Sequence, residues 1–310
     1  MLTTRAGFLT TREGRRIAFS AAGPRDGLPV VYLHGGIGTP LQRAPQLDAL
    51  ISRLQIRHVT IARPGFGDSD PAPDRRITDF PDDLERVVDH LQLERVVLVG
   101  VSSGGPYALA SVLALQDRVA ATGLVSCLSP HRAPHDCRAM TPHLRRGLQT
   151  VVRHPELVER AAGRLLGFLE RHPRTAARLT MLGASGADRR QLADAAIRDT
   201  AISSFLHAAS AGVSGMIADY RLCCGPWGFD VAAVDAQIHL WHGADDEFVP
   251  LEHARRLAAT LRNCHVTIGT DDGHFFYRRR MDEVLTTLVA GARAREAAAW
   301  ATAAPLRAAA

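Results

Sequence analysis

Lysine is absent from this chain: all 37 basic residues among its 310 are arginine, against 32 acidic ones. That absence excludes Schiff-base catalysis and a phosphate-binding loop built on lysine, whatever the fold. Long basic blocks interleaved with aromatics are missing as well. The arginines are scattered through helical stretches among acidic residues, as at Arg75-Arg76 and Arg189-Arg190. The formal charge of +5 therefore reflects an arginine-biased composition and not a nucleic-acid surface. No apolar run reaches membrane-spanning length, and Met1 to Gly14 holds no apolar leader core. A soluble, cytoplasmic protein with no membrane partner is expected. Nor does any C-x-x-C pair occur: Cys127, Cys137, Cys223, Cys224 and Cys264 are odd in number and read as reduced thiols serving as small apolar residues.

What is present is an ordered alternation. Phe8 to Thr11 and Arg15 to Ala21 flank the turn residues Arg12-Glu13-Gly14 and predict an antiparallel hairpin. Val30 to Leu33, Val59 to Ala62, Val96 to Val99 and Ala120 to Cys127 are short apolar runs of the kind buried on both faces of a sheet, with helical stretches at Leu47 to Ile51, Phe80 to Leu91 and Ala108 to Leu115 between them. From about Leu128 to Val234 the alternation stops. Arg145 to Arg153, Glu156 to Arg171, Thr175 to Met181, Arg189 to Thr200 and Ile202 to Leu222 are all helix-like. Strand and helix then resume with Ile238 to Trp241, Leu251 to Leu261, His265 to Ile268 and Asp282 to Val289. The pattern predicts a mostly parallel, doubly wound α/β sheet from residues 1–128 and 235–290, interrupted by a helical cap at 129–234. The Ala/Arg-rich end, 291–310, is expected to be partly disordered.

The chemistry centres on Val96 to Tyr107. A β-branched run stops at Gly100, Ser102 lies between Gly100 and Gly104, and a helical pattern with Pro106 in its first turn begins at once. A strand-to-helix turn this sharp holds its central side chain away from the sheet and needs nearly side-chain-free neighbours two residues on either side. Ser102 meets that demand. Ser103 does not, because Val101 precedes it by two.

A serine near neutral pH needs a base, and the base needs an orienting acid, both at C-terminal strand ends. Of the downstream histidines, His253 falls inside a predicted helix and His265 in or beside a strand. His274, in the loop after the last strand, is the candidate base. Asp245 and Asp246, after the strand Ile238 to Trp241, are both possible acids by spacing. An oxyanion needs preorganised N–H donors. The Ser103 amide is one, and the loop His34-Gly35-Gly36-Ile37 offers Gly36 as the second, with Ile37 behind it and His34 bracing the loop.

His34-Gly35-Gly36, Arg63-Pro64-Gly65-Phe66-Gly67-Asp68-Ser69, Gly100-Val101-Ser102-Ser103-Gly104 and Trp241-His242-Gly243-Ala244-Asp245-Asp246 with Val249-Pro250 together resemble the α/β-hydrolase fold family. The likeness runs over residues 1 to about 290, loosely in the cap, and specifies the fold more than a substrate. It implies Ser102 as nucleophile, His274 as base and Asp246 as acid, in a cofactor-independent serine hydrolase of esterase type. Asp271-Asp272 departs from the Gly or Glu common there and puts charge near the base. An aminopeptidase of the proline iminopeptidase kind is an alternative, although Ser103 stands where such enzymes usually carry tryptophan. A non-catalytic ligand-binding protein on the same fold, C–C cleavage and acyl transfer also remain open.

Other signals carry less. Gly65-Phe66-Gly67 lacks a third glycine and is followed by Pro71 and Pro73, so it reads as a structural turn and not a dinucleotide site. His131, His135, Cys137 and His143 are interrupted by Pro134 and Pro142 and read as a loop entering the cap, not as a zinc site. No cofactor or metal is expected, and the partner is a small-molecule substrate. Ile37, Phe205, Trp227 and Phe275, with Phe229 and Tyr277, are candidates to contact it, and cap-to-core packing is the competing reading for the aromatics.

Overall fold

The computed structural model describes residues 4–38, 45–130, 142–184 and 186–307. Strands β1 (Thr4–Thr10) and β2 (Arg16–Ala22) form the hairpin, and β3 (Leu28–Leu33), α1 (Pro45–Leu54), β4 (Ile56–Ile61), α2 (Phe80–His90), β5 (Val96–Val101), α3 (Gly104–Leu115) and β6 (Val119–Val125) alternate after it. Six helices follow without a strand: α4 (Pro142–Arg153), α5 (Pro155–Arg171), α6 (Pro173–Gly183), α7 (Gly186–Leu192), α8 (Ala195–Ala208) and α9 (Ser214–Cys224). The sheet then resumes with β7 (Ile238–Gly243), α10 (Leu251–Thr260), β8 (Cys264–Gly269) and α11 (Tyr277–Arg307).

All eight strands join one sheet in the order β1-β2-β4-β3-β5-β6-β7-β8. The pairs β1/β2 and β2/β4 are antiparallel, and every pair from β4 through β8 is parallel. Parallel neighbours require crossovers that lay helices on both faces, which is why every residue of β5 and β6 is buried. Alternate residues serve opposite faces. Val31, Leu33 and Leu98 pack against α2 and α3 through Leu84, Val87 and Leu109. Val30, Val97 and Val99 pack against α1 and α11 through Ile51, Val284 and Leu288. This is the α/β sheet expected, with a helical region after β6 consistent with a cap.

Two helices expected to be continuous are each broken. Asp194 interrupts the stretch 189–200 because its carboxylate caps α8, accepting from the Ala196 and Ile197 amides at 2.8 and 3.3 Å. The stretch 202–222 breaks at 209–213, where Gly212 adopts φ +101°. At the other end, α11 continues to Arg307 where partial disorder is expected. Alanine and arginine are strong helix formers, and α11 joins the core through Ala292 among others. Among the described residues, no helix is long and apolar enough to cross a membrane.

Candidate active site

β5 delivers Ser102 to the C-terminal edge of the sheet. Its φ of +53° is a left-handed value that a serine adopts at a cost on the order of 1–3 kcal/mol. The turn is over-determined by its surroundings. Side chains at the two flanking glycines have no room: a Cβ on Gly104 would lie 2.2 Å from the Leu33 carbonyl oxygen, and one on Gly100 would lie 2.9 Å from Ala108 Cβ. The Ser102 amide donates to the Val125 carbonyl at 2.8 Å and so ties the turn to β6. Cys127 packs beneath it, and burial pushes its thiol up to about 12, which leaves it an inert filler.

His274 and Asp246 meet across the ends of β8 and β7. Asp246 Oδ2 accepts from His274 Nδ1 at 2.8 Å, while Oδ1 accepts from the amides of Phe248 and Val249 at 2.9 and 2.7 Å. Because Nδ1 carries that proton, Nε2 is the basic nitrogen available to the cavity. Burial of His274 disfavours its charged form, but the charge and hydrogen bond of Asp246, with Asp188 adding, outweigh it and raise the pKa above 6.5. The neighbouring carboxylates are elsewhere: Asp245 is exposed, and Asp272 pairs with Arg280 at 3.1 Å and not with His274. Two further anchors fix His274. Ser126 Oγ donates to the His274 carbonyl at 3.2 Å, and the Phe275 amide donates to Asp188 of α7 at 2.9 Å. Of the other downstream histidines, His253 lies in α10 and accepts from the Ser129 amide at 3.0 Å, and His265 stacks on His239 in the edge strand β8.

The loop after β3 approaches Ser102 closely. A Cβ on Gly35 would sit 3.3 Å from Ser102 Cβ, and one on Gly36 would sit 3.1 Å from Ser103 Oγ. Among the described residues, no hydrogen bond takes up the Gly36 or Ser103 amide. His34 is saturated: its Nε2 accepts from the Arg63 amide at 3.1 Å, so Nδ1 must carry the proton donated to the Gly35 carbonyl at 2.8 Å. Burial, reinforced by the Arg63 charge, lowers its pKa to about 3. A neutral imidazole with both nitrogens occupied is a brace and no base.

Beside this loop lies a fully buried ion pair. Arg63 Nε and Nη2 donate to the two oxygens of Asp219 in α9 at 3.0 and 2.9 Å. Arg63 Nη2 also donates to Ser103 Oγ at 3.0 Å, Nη1 donates to the His34 carbonyl, and Tyr107 Oη donates to Asp219 at 2.7 Å. Burial opposes the Asp219 charge, but Arg63 and Arg75 more than offset it and hold the carboxyl below its ordinary range. Nearby, Gly65 at φ +78° lies against Gly215 of α9, where a Cβ on either residue would strike the other's backbone within 2.7 Å. The Gly65-Phe66-Gly67 turn thus serves as a seat for α9.

A cavity of about 670 Å³ opens onto Ser102 and His274. Ile37, Phe205, Phe275 and Tyr277 line it, together with Leu179 and Ile197 of α6 and α8. Ser102 and His274 share this space without a direct hydrogen bond between them. Trp227 does not belong to the lining. It is buried in the core, donates its indole N–H to the Cys223 carbonyl of α9 at 3.0 Å and packs on Phe229, so core packing describes it. No group of three or more His, Cys, Asp or Glu that could hold a metal ion occurs among the described residues. His131, His135 and Cys137 lie outside them, as does the side chain of His143.

The arrangement is a serine at a strained turn, an acid-oriented imidazole and two open amides around one cavity. A family model for the α/β hydrolase fold matches residues 29–277. The chain belongs to the α/β-hydrolase fold family. Among sequence relatives, this hydrolase-fold chain is 34% identical over 128 residues to a non-heme chloroperoxidase of Streptomyces lividans, covering 40% of this chain and 45% of the relative. It is 31% identical over 117 residues to a proline iminopeptidase of Neisseria gonorrhoeae, covering 37% of each. The matches thus span less than half the length of these relatives. A solved carboxylesterase of the thaumarchaeon Nitrososphaera gargenis superposes with a TM-score of 0.71 at 16% identity, covering 93% of this chain and all of that one. That likeness is one of fold.

Two residues of this α/β-hydrolase site are not singled out by their sequence context, Asp188 and Asp219, and Arg63 enters there only as the start of the Arg63 to Ser69 turn. Asp219 offered a faint signal, a lone carboxylate between Ile217 and Cys223 on a helix face that is otherwise buried. Asp188 sits in the charged run Asp188-Arg189-Arg190, which reads as solvated surface.

Proposed function

We propose that this protein is a cofactor-independent serine hydrolase that cleaves an ester or related acyl bond of a small molecule through an acyl-enzyme intermediate. The observation that carries the reading is the 2.8 Å contact of His274 Nδ1 with Asp246 at the mouth of the cavity that holds Ser102. His274 Nε2 takes the Ser102 proton as Oγ attacks the carbonyl carbon. The oxyanion that forms is received by the Ser103 and Gly36 amides, which have no other acceptor among the described residues. The imidazolium, stabilised by Asp246, returns its proton to the leaving alkoxide, and the carbonyl re-forms as the C–O bond breaks. Water, activated by the same imidazole, then releases the acid and restores Ser102. Alignment of Ser102 with His274 is completed on substrate binding, as is common for catalytic hydrogen bonds. Residues 129–234 act as the cap that sets specificity through Phe205 and its neighbours, and the protein works in the cytoplasm.

A panel of p-nitrophenyl esters of increasing acyl length, assayed with wild type and Ser102→Ala, tests the reading. Turnover of at least one ester that disappears in the variant supports it. No turnover of any ester, with saturable binding of small molecules, favours a ligand-binding protein instead. The iminopeptidase relative motivates a second reading, hydrolysis of an N-terminal proline amide, which proline p-nitroanilide would report.

A further inference from the structure

We propose that the cavity recognises an anionic group on its substrate through Arg278, so that the preferred esters carry a carboxylate or similar anion away from the scissile bond. The inference rests on the hydrolase reading of the same site. Its basis is an imbalance of charge along the cavity wall. Three arginines line the cavity, Arg53, Arg278 and Arg279, together with two acidic residues, Asp194 and Asp282. Both carboxylates are already engaged. Asp282 is paired with Arg53 and accepts from Thr286 Oγ1 at 3.0 Å, and Asp194 caps α8.

Arg53 is therefore answered, whereas Arg278 and Arg279 have no carboxylate partner among the described residues. Arg279 is exposed and keeps its hydration. Arg278 is half-buried, its guanidinium stands 5.5 Å from the Tyr277 ring, and its Nε is buried without a hydrogen-bond acceptor. Its charge is felt by Tyr32 and His274, both of which line the cavity. Helix stability does not explain the residue. Arg278 falls in the first turn of α11, where the backbone dipole disfavours cations, and only Arg280 of the three consecutive arginines is compensated, by Asp272 and Glu283.

A partly desolvated guanidinium with no carboxylate partner is stabilised when an anion arrives, and its fork suits a carboxylate. The same charge repels a protonated amine, which sets this cavity against the free N-terminus that an aminopeptidase must accept.

The test compares two esters that differ only in a terminal group, 4-nitrophenyl valerate and mono-4-nitrophenyl glutarate, on the full chain. The wild-type ratio of kcat/KM, anionic over neutral, should exceed one. It should fall about tenfold in Arg278→Gln and be largely kept in Arg278→Lys, the scale of one charge-assisted hydrogen bond in a half-buried site. Calorimetric titration with free glutarate gives a readout independent of turnover, with Kd about tenfold weaker in Arg278→Gln. A wild-type ratio below one, or a ratio unchanged in folded Arg278→Gln, overturns the inference. If neither ester is hydrolysed but glutarate binds in an Arg278-dependent way, the hydrolase reading falls and the anion site stands. If neither ester is hydrolysed and glutarate does not bind, both fall.

Discussion

Asp246 and Asp219 are both buried carboxylates beside the same serine turn, each accepting several hydrogen bonds, and the difference between them lies in the partner. Asp246 holds an imidazole, whose proton can come and go near neutral pH. Asp219 holds a guanidinium, whose proton stays. In the proposed mechanism the first pair therefore prepares a base. The second fixes positions: it joins α9 to the loop after β3 and to Ser103, and its charges stay fixed near neutral pH. Burial and charge alone do not distinguish a catalytic carboxylate from a structural one; the titration range of what it grips does.

The largest effect that would break this contrast is on the Asp246 side. Asp246→Asn should lower kcat by roughly 10⁴-fold with little change in folding stability relative to that loss, because the amide no longer holds the productive tautomer. Steady-state kinetics and thermal melts on one preparation check both halves. Next comes the Asp219 side. Asp219→Asn leaves Arg63 charged and unpaired in the interior and should cost about 3–5 kcal/mol of stability, whereas the double variant Arg63→Met, Asp219→Leu should recover much of it. Guanidinium titrations read this directly. If the double variant is no more stable than the single one, the pair does more than hold position.

The pH dependence sharpens the same comparison more gently. His274 must be neutral to accept a proton, and its pKa is raised above 6.5 despite burial because Asp246 and then Asp188 favour the charged form. The value of kcat/KM should therefore be low in acid and rise through a midpoint above 6.5. Asp188→Asn should shift that midpoint down, measured from pH profiles of both proteins. The smallest effect belongs to Trp227. Trp227→Phe removes one hydrogen bond from a core contact outside the cavity, so it should cost about 1 kcal/mol in stability and leave KM unchanged.

The parallel sheet and the position of Ser102 are legible in the sequence because both rest on local pattern. Apolar runs of strand length announce buried strands, and the glycines around Ser102 announce a turn whose flanks have no room for side chains. The choice between Asp245 and Asp246 is not local: Asp245 faces solvent and Asp246 turns in towards His274, 28 residues away. The helical region after β6 is less legible still. Its helices announce themselves, but the breaks at Asp194 and Gly212 hinge on a capping carboxylate and one backbone angle, and Trp227 looks like a pocket residue until α9 and the core close around it. Asp219 and Arg63 lie 156 residues apart, and nothing in either neighbourhood foretells their pairing.

The central claim is that Ser102 is a nucleophile activated by His274. The most direct test is to treat the full chain with a fluorophosphonate, digest it and locate the adduct by mass spectrometry, alongside His274→Ala. The account predicts a single adduct on Ser102 in the wild type and labelling slowed by several orders of magnitude in the variant. An adduct on Ser103, none on well-folded protein, or equal labelling of both proteins would contradict it.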